Sequence, residues 1–139
     1  MNRITIICLG VENMERAIRF YKDGLGFQTK ETRYDPPVIF FDTDQGIKLE
    51  LFPVDLLAKD INADNPPPIR PGFSGITLAY NVNSKEEVHQ IIALARESGA
   101  VIEKEPQDVF WGGYHAYFSD PDGYYWEVAY NPEMIVEED

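Results

Sequence analysis

Asp44-Gln45-Gly46-Ile47-Lys48-Leu49-Glu50-Leu51 is echoed later in the chain by Pro121-Asp122-Gly123-Tyr124-Tyr125-Trp126-Glu127-Val128. In both stretches a turn glycine is followed four residues later by a glutamate inside an apolar, strand-like run. Upstream of each copy lies a helix-forming segment, and upstream of that another apolar strand, over 4–11 in one half and 76–82 in the other. A repeated strand–helix–strand module predicts two copies of one unit packed together. Strands seldom point a carboxylate inward without a reason, so matched glutamates predict a cleft lined by Glu50 and Glu127.

Working outward from the first copy, 4–11 reads as a buried strand and Asn13 as the cap of a helix with Glu15 in its first turn. Met14, Ala17, Ile18, Tyr21 and Leu25 give that helix one apolar stripe, with Phe20 and Tyr21 as core, and Gly24 and Gly26 stop it. Strands are expected over 28–34, 38–42 and 47–52. Residues 53–71 hold Pro66-Pro67-Pro68 and Pro71-Gly72, which breaks the pattern and reads as a connector, with Leu56, Leu57 and Ile61 suggesting one docked helical turn.

The second copy opens with a strand over 76–82. Ser84 and Glu87 carry a capping-box pattern, and Val88, Ile91, Ile92 and Ala95 form the helix stripe that Gly99 ends. Strands follow over 101–105, 114–118 and 124–130, and Trp126 alternates away from Glu127 toward the second helix. The fold class is therefore α+β, two βαβββ modules. Module boundaries are set at 1–57 and 74–132, with a connector at 58–73 and an acidic, frayed tail at 133–139.

The bulk composition narrows the function. The 139 residues carry 12 basic and 24 acidic side chains, a formal charge of −12, which disfavours nucleic acid and anionic membranes as partners. No apolar run approaches a membrane span, and the start of the chain lacks a secretory pattern, so a cytoplasmic location is expected. The single cysteine, Cys8, excludes an intramolecular disulfide and reads as a small core residue. No nucleotide fingerprint, Ser–His–Asp order or paired-cysteine zinc motif occurs.

Leu9-Gly10-Val11 through Asn13-Met14-Glu15-Arg16-Ala17-Ile18-Arg19-Phe20-Tyr21, then Leu25-Gly26-Phe27, and Asp120-Pro121-Asp122-Gly123 through Trp126-Glu127-Val128 together resemble the vicinal oxygen chelate superfamily. That superfamily includes glyoxalase I, extradiol dioxygenases and bleomycin-resistance proteins. The resemblance implies paired modules whose sheets form a cleft, usually in a homodimer. In metal-dependent members it implies a histidine on each module's first strand and a glutamate on each module's last. Carried over, the glutamates fall on Glu50 and Glu127, whereas the histidine positions fall on Ile6 and Thr77. Isoleucine has no donor atom and a threonine hydroxyl is a poor ligand, so half of the site is kept.

No cofactor is the leading expectation. A divalent ion (Ni, Zn, Mn or Fe) on Glu50 and Glu127 is the alternative, weakened by the loss of nitrogen ligands. Without a cation, two converging glutamates repel, and Lys48, two residues before Glu50 on the same strand face, is the expected partner. Alternation places Ile6, Cys8, Lys48, Glu50, Phe52, Thr77, Ala79, Tyr125, Glu127 and Ala129 on the cleft side, a mostly apolar lining suited to a small molecule. Trp111 and Tyr114 flank two glycines and could stack on a flat ligand.

His115 is read as a partly exposed strand residue whose face alternation leaves open, with a stand-in ligand or proton shuttle as the sharper reading. His89 is expected on a solvent-exposed helix face. Three functions stay open. One is a metal-dependent lyase or dioxygenase using Glu50 and Glu127. Another is a drug-sequestering binding protein that takes an aromatic or cationic compound. The third is a metal-free enzyme in which Glu50 or Glu127 moves a proton.

Overall fold

A computed structural model describes residues 1–137 and resolves the chain into two compact units, Met1–Pro71 and Gly72–Asp139. The first unit holds β1 (Ile6–Val11), α1 (Met14–Ile18), β2 (Ile39–Phe41), β3 (Lys48–Pro53) and α2 (Val54–Ile61). Its sheet has the order β1-β3-β2, with β1 parallel to β3 and β2 antiparallel to it. Leu9, Val11, Leu49 and Leu51 are buried on the sheet face that takes Ala17, Ile18 and Tyr21. Asn13 caps α1 as its sequence position predicts, its side-chain oxygen accepting from the Arg16 amide at 2.9 Å.

The first helix departs from its simple stripe. After Ile18 the chain widens into a π-helix, Arg19–Gly24, in which the Leu25 amide reaches the Phe20 carbonyl. The wider turn rotates Phe20 and Tyr21 together into the core, where both are buried. Tyr21 meets Phe20, Phe27 and Phe41 edge-on or tilted.

The strand expected over 28–34 is absent, leaving one isolated bridge between Gln28 and Asp42. Lys30, Glu31, Thr32 and Arg33 offer no apolar alternation, and local bonds satisfy the backbone there instead. Glu31 bonds both the amide and the guanidinium of Arg33, and the Tyr34 hydroxyl donates to Asp23. The first unit is thus βαββ, followed by a helix. That helix, α2, is two turns long and starts at Val54, inside the stretch assigned to the first module. It docks through Val54 and Leu57 against Gly10, where a Cβ would stand 2.8 Å from Val54. Leu56 and Ile61, expected to dock, are exposed.

The second unit holds β4 (Thr77–Val82), α3 (Lys85–Glu97), β5 (Val101–Asp108), β6 (Tyr114–Ser119) and β7 (Tyr125–Tyr130), the full βαβββ order. Its sheet runs β4-β7-β6-β5, with β4 parallel to β7 and the remaining pairs antiparallel. The capping box forms: the Glu87 amide donates to Ser84 and the Asn83 amide to the Glu87 carboxylate, both at 3.1 Å. Ala116, Phe118, Trp126 and Val128 alternate to the face covered by α3, where Val88, Ile92 and Ala95 are buried. Phe118 and Trp126 stack there at 6.1 Å.

The tail is not frayed up to Val136. Asn83 bonds both the amide and the carbonyl of Val136 at 2.8 Å, satisfying an otherwise open backbone. Residues 138–139 of the expected tail lie outside the described residues. Among the described residues no helix is long and apolar enough to cross a membrane.

Candidate functional site

The two turn–strand copies superpose in logic as well as in spelling. Gly46 and Gly123 both take the left-handed conformation, at φ 82° and 87°, which glycine adopts without the Cβ penalty. Each turn delivers its glutamate to the same place on a parallel strand pair: Glu50 lies opposite Cys8, and Glu127 opposite Ala79. Ile6 faces Lys48 and Thr77 faces Tyr125 one step away. The in-register grouping expected from alternation is therefore present within each unit.

The chemistry around the two glutamates differs. In the first unit the Cys8 thiol bonds Glu50, and burial, then the charge and bond of Glu50, push its pKa from an ordinary 9.0 to about 12. Cys8 is half-buried rather than core, because it alternates to the face of β1 opposite the buried Leu9 and Val11. Lys48 does not pair with Glu50. Its ammonium reaches across to Asp42 on the β2 side at 2.6 Å, where both groups keep contact with water. Phe52 lies opposite Gly10 at the α2 end of the strand.

In the second unit Glu127 sits in a polar row that crosses the sheet on the side away from α3. Glu127 on β7 is opposite Tyr117 on β6, which is opposite Lys104 on β5. His115 is one step along β6 on the same side and is 7% exposed, correcting the expectation of a partly exposed residue. Its Nδ1 lies 2.6 Å from the Glu127 carboxylate, and its Nε2 lies 3.0 Å from the Lys104 ammonium. An ammonium can only donate, so Nε2 accepts and Nδ1 carries the proton given to Glu127. The arrangement selects one neutral tautomer of the imidazole. The Tyr117 hydroxyl also bonds Glu127, and burial first, then the Glu127 charge, raise its pKa, keeping it a donor.

Trp111 closes one end of this row. The loop before β6 turns through bonds between Val109 and Gly113 and between Gly112 and Val109. The indole lies over Gly113 so closely that a Cβ there would stand 1.8 Å from a ring carbon. The same ring approaches His115 edge-on at 6.2 Å, and Tyr117 does so at 5.3 Å. Tyr125, on the same side, meets Phe73 edge-on at 5.5 Å.

Tyr114 is not brought to that face. It points toward α3, where its hydroxyl bonds the exposed His89 at 2.8 Å and Lys85 rides over its ring. Lys104 and Tyr117 are the residues sequence reasoning missed. Tyr117 was available, being two residues from His115. Lys104 was hidden by a register shift between Ile102 and Lys104, which turns it opposite Tyr117 instead of Ala116.

The donors do not suit the ion that metal-dependent relatives would imply. Ile6 and Thr77 stand where imidazoles would be needed, Glu127 is occupied by His115 and Tyr117, and Glu50 by Cys8. Within either unit, among the described residues, no three His, Cys, Asp or Glu side chains gather as a ligand group.

Similarity to known proteins agrees with the fold. No curated protein matches the chain. A glyoxalase-related enzyme from Fulvimarina pelagi is similar over 100% of this chain and 95% of its own, at 28% identity and a TM-score of 0.86. A glyoxalase/bleomycin resistance protein/dioxygenase from Nocardioides is similar over 100% and 89%, at 22% identity and a TM-score of 0.77. A lactoylglutathione lyase from Agrobacterium tumefaciens is similar over 96% of both chains, at 21% identity and a TM-score of 0.69; at these lower identities the likeness concerns the fold. The model of the Glyoxalase/Bleomycin resistance protein/Dioxygenase superfamily matches residues 3–128, and the chain belongs to that superfamily.

Proposed function

We propose that the chain binds a small organic molecule on the α3-free side of the second sheet, and that His115, held by Glu127, exchanges a proton with it. The observation that carries the reading is the buried imidazole bonded through Nδ1 to Glu127 at 2.6 Å. A carboxylate on one ring nitrogen fixes the ring's orientation and stabilises the imidazolium formed when the other nitrogen takes a proton. The Lys104 ammonium rests on Nε2, and its flexible stem lets it shift to an oxygen of the bound molecule, leaving that lone pair open. His115 then removes a proton from a carbon next to a carbonyl and returns it to the same or the neighbouring carbon. The cycle consumes no co-reactant. Glu127, the residue singled out by the repeat, is the positioning residue, and no step requires a metal.

Proton NMR in deuterated buffer, with a panel of small α-oxo and α-hydroxy acids, tests this reading. Exchange of a carbon-bound proton by the wild-type chain is the expected result, with a fall of about 100-fold or more in His115→Asn and Glu127→Gln. Absence of exchange across the panel overturns proton transfer. A second reading, a binding protein without turnover, is favoured by the exposed Phe110 and Trp111 at the end of the row, a flat apolar surface for stacking. Under it, His115 ring signals move with ligand while no proton exchanges.

A further inference from the structure

We infer that the molecule held on this face is an anion, a small conjugated or aromatic carboxylate whose charged oxygen docks on Lys104. The inference rests on the reading that a small organic molecule occupies this side of the sheet, and it names that molecule's class.

The chain carries 24 acidic residues against 12 basic ones, and among the described residues two of its six lysines sit in ion pairs. Lys48 pairs with Asp42, Lys85 with Asp108, Arg19 with Glu15, Arg33 with Glu31, and Arg96 with Glu105. Lys104 pairs with none among the described residues. Its one bond is to a neutral ring nitrogen, although it is half-buried and so partly stripped of water.

Two carboxylates share its side of the sheet, and each is engaged elsewhere. Glu127 accepts from His115 and Tyr117, and Glu103 accepts from the Ser119 hydroxyl at 2.9 Å. The register shift that turns Lys104 toward His115 adds an extra residue to β5 there, a distortion that re-aims a side chain. The row therefore offers a part-desolvated cation with N–H donors to spare, while its carboxylates are already hydrogen-bonded by neighbouring donors. A carboxylate supplies what Lys104 lacks, in a charge-assisted bond. Trp111, Tyr117 and Tyr125 supply ring surface nearby, which favours a flat ligand body over an extended one.

The order of preference is opposite to the cationic ligand that two bare glutamates suggest. Glu127 would attract a cation only if its own donors were given up.

The test compares three probes of one shape, benzoate, benzamide and benzylammonium, on the full chain, followed by the His115 ring signals in nitrogen-resolved NMR. Benzoate is expected to bind at least about tenfold more tightly than either of the others, a difference on the scale of one charged contact. Lys104→Met is expected to remove that advantage and Lys104→Arg to restore most of it, which separates lost charge from a disturbed fold. Equal or tighter binding of benzamide or benzylammonium overturns the inference while leaving a ligand on this face. Benzoate preference unchanged in Lys104→Met overturns it as well. If no probe moves the His115 signals at all, the anion inference falls together with the reading it rests on.

Discussion

At the scale of single residues, the two glutamates show how neighbours decide what a carboxylate does. Glu50 accepts a hydrogen bond from a thiol, and Glu127 accepts from an imidazole and a phenol. The first pairing makes Cys8 a poor nucleophile. With its pKa near 12, on the order of a thousandth of the thiol is ionised at pH 9, so alkylation by iodoacetamide should run hundreds of times slower in the folded chain than in urea. Glu50→Gln should speed it. The same shift has a sign for stability. A thiol raised in the folded state keeps its proton while the unfolded chain releases one, so its contribution is complete below pH 9 and lost as pH rises through 12. Urea midpoints followed from pH 8 to 11 should therefore fall, and Cys8→Ala should flatten that fall. Tyr117, raised from 10.0, tilts stability in the same direction.

At the scale of elements, the sequence was legible wherever periodicity ran undisturbed. The capping box, the Asn13 cap, both glycine turns and the partition of β7 into Trp126 and Glu127 faces follow from spacing alone, because each depends on residues within five positions. What failed depended on departures from period. The π-turn after Ile18 and the shifted register at Lys104 each add one residue to a regular count, which no window average detects, and the missing strand over 28–34 gives way to local side-chain bonds. The polar row was half visible for the same reason: Glu127 and His115 were singled out, and Lys104 was not. The loop before β6 gives a test at this scale. Gly113→Ala forces the Trp111 ring off the strand, since the three atoms nearest the new Cβ all belong to that ring. Trp111 emission should shift toward that of solvent-exposed indole, and benzoate affinity should weaken severalfold while α3 helicity is kept. Unchanged emission would show that the ring does not depend on the absent side chain.

At the scale of the molecule, a charge of −12 surrounds a row that is locally close to neutral. An anionic ligand must cross a repulsive field to reach Lys104, the reverse of the usual electrostatic steering. Its association rate should therefore rise between low and physiological salt, roughly severalfold, while that of a neutral analogue stays flat. Stopped-flow quenching of Trp111 reads both, and a rate that falls with salt would place the docking cation in a field of the opposite sign. The repeat has a further use. Because the chain carries the same turn, strand and glutamate twice, with chemistry built around one copy and a quiet thiol beside the other, it contains its own blank. Any perturbation applied at Glu127 has a matched reference at Glu50 in the same tube, at the same temperature and on the same scaffold.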